Sequence, residues 1–149
     1  MKKVLLSAGM MLLTGLGGVF AKDRPAEVSK KVWESFNDRF AGALDVSWGE
    51  ERDLEIATFR LDEMVFFAYF DKDGEWVATA RNILSDQLPI LLIMQLKKEY
   101  HDFWISALVE VDSQAGISYF ITLENASKTL LLTSAGSDDW TVSKKDKKE

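Results

Sequence analysis

Between residues 28 and 40 apolar side chains recur every four positions, Val28, Val32, Phe36 and Phe40 with Trp33 beside them, while Lys30, Lys31, Glu34, Asp38 and Arg39 fall elsewhere on the wheel. That is the pattern of an amphipathic helix of about four turns, with Asp23 and Pro25 suited to its start and Gly42 to its end. From Leu44 to Ile83 the period drops to two and aromatic or β-branched residues dominate, which predicts strands near 44–49, 53–61, 64–71 and 75–82. Asp71-Lys72-Asp73-Gly74 is the clearest hairpin turn. A second helical pattern, QLPILLIMQLKKEY, runs from Gln87 to Tyr100. Pro89 sits near its start, with Ser85 or Asp86 upstream as a cap, and Lys97 and Lys98 lie in its last turn, where cations suit the helix dipole. Its apolar positions go nearly all the way round, so the expectation is cover on more than one side. At roughly 14 residues it is too short to span a bilayer. Four more strands are expected near 103–111, 117–124, 128–133 and 139–142, with turns at 113–116, 125–127 and 134–138.

The predicted fold is therefore α+β: an antiparallel β-meander sheet with two helices packed on one face, helix plus meander occurring twice. Along β-type residues 64–70 both faces are apolar. Met64, Phe66, Ala68 and Phe70 point one way, Val65, Phe67 and Tyr69 the other. Helices on one face leave the second face with an aromatic excess, and an exposed aromatic patch is a protein-docking signal. Phe67 and Tyr69, with Trp76 and Trp104, are the candidate protein-binding residues. The competing reading buries both faces by sheet curl or by a homodimer.

Composition changes the picture at the N-terminus. Lys2 and Lys3, the apolar run Val4–Leu16 and the small residues Val19 and Ala21 predict a signal peptide over 1–21, cut after Ala21, and hence a periplasmic or secreted protein with no stable membrane anchor after cleavage. Residues 22–143 are expected as a single domain and 144–149 as a disordered charged tail. The chain carries a formal charge of −6, and the leader removes two of its lysines, so no nucleic acid is expected as a partner. There is no cysteine, which excludes disulfides, thiolate metal sites and cysteine nucleophiles.

Candidate chemistry is thin. His101, the single histidine, stands beside Asp102 directly after a helix C-terminus, and no G-x-S-x-G pattern accompanies it. The alternating carboxylates Asp71 and Asp73 open like a calcium loop, but Asn82 occupies the position where a closing Glu belongs. Asp62 and Glu63 with Asp71 and Asp73 lack the pocketed geometry that paired-carboxylate chemistry needs. No enzyme, no cofactor and no metal are expected.

The run FFAYFDKDGEW from Phe66 to Trp76, followed by Leu88-Pro89 opening an apolar helix that closes on Tyr100, resembles the PepSY-like family of β-lactamase-inhibitor-like proteins. The resemblance covers residues 28–142. It implies an exported, non-enzymatic α+β domain with helices on an antiparallel sheet, and binding or inhibition of another exported protein. Two departures stand out: Leu61–Met64 lacks the glycine such families carry at that turn, and Ser134–Trp140 replaces a second Asp-x-Asp-Gly turn. The alternative function is a small-molecule carrier or sensor with an apolar pocket between the second helix and the sheet, lined by Met94 and aromatics.

Overall fold

The structure, a computed structural model, describes residues 27–136 and 138–149. The signal peptide expected at 1–21 and the helix start expected at Asp23 and Pro25 lie outside the described residues. Two compact units divide the chain between Arg81 and Asn82. Among the described residues each carries one α-helix and antiparallel strands in sequential order, eight strands in all.

The first unit opens with α1, Lys30–Arg39. Ser29 caps it, its Oγ accepting from the Val32 amide at 3.3 Å, so the helix starts from a side-chain cap. Four strands follow: β1, Leu44–Glu51, β2, Leu54–Leu61, β3, Met64–Phe70, and β4, Trp76–Asn82. The β1–β2 and β2–β3 links are two-residue turns, Arg52-Asp53 and Asp62-Glu63, and all four residues sit at positive φ between 48° and 66°. Such turns match the right-handed twist of the strands they join, which is why the missing glycine does not prevent the hairpin; it leaves local strain in its place. At the β3–β4 turn Asp71 Oδ1 accepts from the amides of Asp73 and Glu75 at 2.9 and 3.0 Å. Gly74 is required twice over: its φ is +83°, and a Cβ there would lie 2.9 Å from the Lys31 carbonyl oxygen of α1.

The core of this unit is the α1 stripe against one sheet face. Val28, Val32 and Phe36 pack on Ala57 and Phe59 of β2 and on Ala68 and Phe70 of β3. Phe36 is the hub, with ring centroids 5.2 Å from both Trp48 and Phe59 and 6.3 Å from Phe70, all edge-on.

In the second unit a 3-10 turn, Ser85–Gln87, precedes α2, Ile90–Glu99. The expected cap by Ser85 or Asp86 is not formed. Leu88, which precedes Pro89, is extended (φ −73°, ψ 152°), the conformation a following proline favours, and Pro89 itself becomes the N-cap. The strands are β5, Trp104–Ser113, β6, Gly116–Glu124, β7, Lys128–Ala135, and β8, Thr141–Lys147. Leu92 of α2 packs with Leu88, Ile121, Leu123, Leu130 and Leu132. Trp140 ties the helix to the approach to β8: its Nε1 donates to the Leu92 carbonyl at 3.1 Å and its amide donates to Gln95 Oε1 at 2.8 Å.

Residues 144–147, expected as part of a disordered tail, are instead the end of β8, paired in register with β7 from Leu131↔Lys144 to Lys128↔Lys147. A strand needs only backbone partners, and every side chain of β8 is exposed. Lysines along such an outward strand discourage further edge pairing while leaving the ladder itself intact.

Candidate protein-binding surface

The surface under test is the face of the first meander turned away from α1. Alternation along β3 decides which residues reach it. Phe66, Ala68 and Phe70 join the α1 core, so Val65, Phe67 and Tyr69 take the other side. Their cross-strand partners extend the face: Phe67 stands opposite Thr58 of β2 and Ala80 of β4, and Tyr69 opposite Ile56 and Ala78. Accessibility falls along the strand. Val65 is 49% exposed, Phe67 is half-buried, and Tyr69 is 1% exposed.

Tyr69 is therefore not an accessible contact, contrary to the expectation from alternation. β3 lies between β2 and β4, and Ile56, Ala78 and Ala80 around this end of it are buried as well. Its hydroxyl has no hydrogen-bond partner among the described residues, and burial, reinforced by the Glu51 carboxylate, pushes its ionisation well above the ordinary tyrosine value.

Trp76 is on the opposite side, packed against the α1 core. Its Nε1 donates to Thr79 Oγ1 at 2.9 Å and the Arg39 guanidinium lies 4.2 Å from its ring centroid. The bulge between Tyr69 and Phe70 in the β3–β4 register puts Trp76, not Val77, opposite Phe70 and so on the helix side. With Ser35, Asp38, Arg39, Gly74 and Glu75 it lines a polar hollow of about 520 Å³. Trp104 is exposed on β5 in the second unit, with Lys148 Nζ 5.0 Å from its ring and that lysine paired to Glu124 at 3.2 Å. Of the four candidates, then, Phe67 alone lies accessible on the face away from α1; Val65, which the same alternation puts on that face, is accessible beside it.

His101 is exposed in the turn after α2. No group of three or more His, Cys, Asp or Glu side chains able to hold a metal ion occurs among the described residues. Asn125 Oδ1 accepts from the amides of Ser127 and Lys128, each at 2.9 Å, so its side chain closes the β6–β7 turn. The apolar pocket that the carrier alternative needs beneath α2 meets a closed interface: Leu92, Ile121 and Leu132 are wholly buried there, and Met94 is exposed on the outer side.

No family model matches the sequence, and a search of curated proteins finds no match. Similarity appears at the level of structure. A BLIP-like protein from Bacteroides fragilis aligns with TM-score 0.69 at 14% identity over 85% of this chain and 89% of its own. A DUF2874 family protein from Bacteroides ovatus gives TM-score 0.69 at 16% identity over 84% and 89%. A protein from Bacteroides eggerthii, described as a candidate periplasmic protein, gives 0.69 at 13% over 80% and 88%. At these identities the likeness concerns architecture, and it supports the broader half of the sequence resemblance, the β-lactamase-inhibitor-like part, without singling out the PepSY-like family. This chain has the fold of BLIP-like and DUF2874 proteins: antiparallel four-stranded meanders, each with one covering helix.

Proposed function

We propose that this chain is an exported, non-enzymatic binding module that captures another envelope or secreted protein through the face of the first meander turned away from α1. The observation that carries the reading is Val65, 49% exposed, and half-buried Phe67 standing accessible on a strand whose other face packs on α1 through Phe66, Ala68 and Phe70. An apolar β-surface beside the exposed Arg60–Asp45 ion pair, 2.7 Å, has the apolar centre and polar rim of a protein interface. The shared fold with a BLIP-like protein is consistent with this use, and no helix of the described residues is long and apolar enough to cross a membrane. Whether capture also inhibits the partner depends on what the partner does with the covered surface.

The test is capture from an envelope extract by wild-type protein and by Val65→Lys and Phe67→Ser variants, with bound proteins identified by mass spectrometry. The reading expects one exported protein on the wild type and its loss on both variants, each still folded by circular dichroism. Equal capture by all three would overturn it. The carrier alternative has the closed packing beneath α2 against it, and native mass spectrometry of the purified protein would expose a retained small molecule.

A further inference from the structure

The outer side of α2 was expected to be covered, and it is not. Leu84, Ile90, Leu91 and Met94 expose between 52% and 69% of their surface. Ile90 and Met94 are one turn apart, and Leu91 flanks them, so the three form a single apolar stripe on a helix about 15 Å long. The stripe is charged at its ends with opposite signs. Asp86 is exposed in the turn before the helix, while Lys97 and Lys98 are exposed in its last turn, and Lys98 continues the stripe one turn beyond Met94. Such a surface is its own complement. Laid antiparallel on a second copy about a two-fold axis beside residue 92, Ile90 meets the second copy's Met94, Met94 meets its Ile90, and Asp86 faces Lys98 at both ends.

We infer that α2 is a self-association surface, through which two copies of this chain pair helix to helix, antiparallel, around Ile90, Leu91 and Met94. Charge selects the occupant. An isologous contact requires the same patch to supply both signs, and this one does. An anionic membrane surface would use the lysines and repel Asp86, on a chain of formal charge −6. Three apolar side chains with one charge at each end make a small contact, so the dimer is a weak one, with Kd on the order of 10–100 µM. This surface belongs to the second unit.

The experiment is sedimentation equilibrium of protein expressed from the full sequence, beside anionic phosphatidylglycerol vesicles in a co-sedimentation assay. The wild type should show a monomer–dimer equilibrium in the stated range. Met94→Lys should abolish it with the circular dichroism spectrum unchanged, because the side chain is exposed. Asp86→Lys alone and Lys98→Asp alone should each weaken the dimer about tenfold, from two symmetry-related contacts. Together in one chain they should restore it to within about threefold, because each reversed end again meets its opposite. A protein monomeric at every concentration, a dimer indifferent to Met94→Lys, or a double variant as weak as the singles would overturn the inference. So would vesicle binding lost in Met94→Lys without any dimer, which would assign the stripe to a membrane surface.

Discussion

Tyr69 gives a prediction with two signs at one position. Its ring is buried near the C-terminal end of β3, between β2 and β4, so truncating it should cost what removing a large aromatic from a packed site costs, about 3–5 kcal/mol. Its hydroxyl is buried without a partner, and an unsatisfied buried polar group costs about 1–3 kcal/mol to hold there. Tyr69→Phe removes that group and keeps the ring, so it should stabilise the fold by about 1 kcal/mol, while Tyr69→Ser should destabilise it severely. For a chain of this size 1 kcal/mol corresponds to about 3–5 °C in Tm, so Tyr69→Phe should melt about 3–5 °C higher and Tyr69→Ser about 10–20 °C lower. Calorimetry of the three proteins at neutral pH is the assay. There is a pH signature too. The phenol's folded-state ionisation is raised by burial, so its titration leaves stability unchanged below the unfolded tyrosine value near 10 and lowers it as pH rises above that value. Wild-type stability should therefore fall more steeply than that of Tyr69→Phe above about pH 10. A Tyr69→Ser variant that melts with the wild type would refute the reasoning and return Tyr69 to the accessible face.

Other substitutions test the local arguments. Gly74→Ala combines a left-handed backbone with a 2.9 Å approach to the Lys31 carbonyl and should lower stability by about 1–3 kcal/mol in urea titration. Asp62→Asn with Glu63→Gly places the preferred pair in a turn whose residues already have positive φ, and should raise stability by about 1 kcal/mol in the same assay. Trp140→Phe loses the donor to the Leu92 carbonyl and should cost about 1–2 kcal/mol, with amide exchange in α2 accelerating.

Most of the architecture was legible because the chain announces it by period. Val28, Val32, Phe36 and Phe40 name the face of α1 that packs, and the turn residues from Asp71 to Gly74 mark the hairpin they form. What escaped was decided by pairing, which periodicity does not encode. The lysine-rich stretch from Lys144 to Lys147 has the composition of a solvated tail, yet β7 offers it a backbone ladder and it takes it. Alternation placed Tyr69 opposite the helix correctly but could not show that this end of β3 is buried. One bulge moved Trp76 to the helix side, and a shift of one residue reverses a strand's facing. The greasy pattern of α2 suggested cover all round, but burial is set by neighbours. Sequence alone could not show that Ile90, Leu91 and Met94 would stand more than half exposed.

Val65 and Phe67 are the contact surface we propose for an exported partner. The direct measurement is a calorimetric titration of the captured partner with wild type and with Val65→Lys, a substitution at an exposed strand position that should leave Tm within a degree or two. Kd should be at least tenfold weaker for Val65→Lys, since a buried lysine at an interface centre costs more than about 1.4 kcal/mol. An unchanged Kd would contradict it and move the contact off this face.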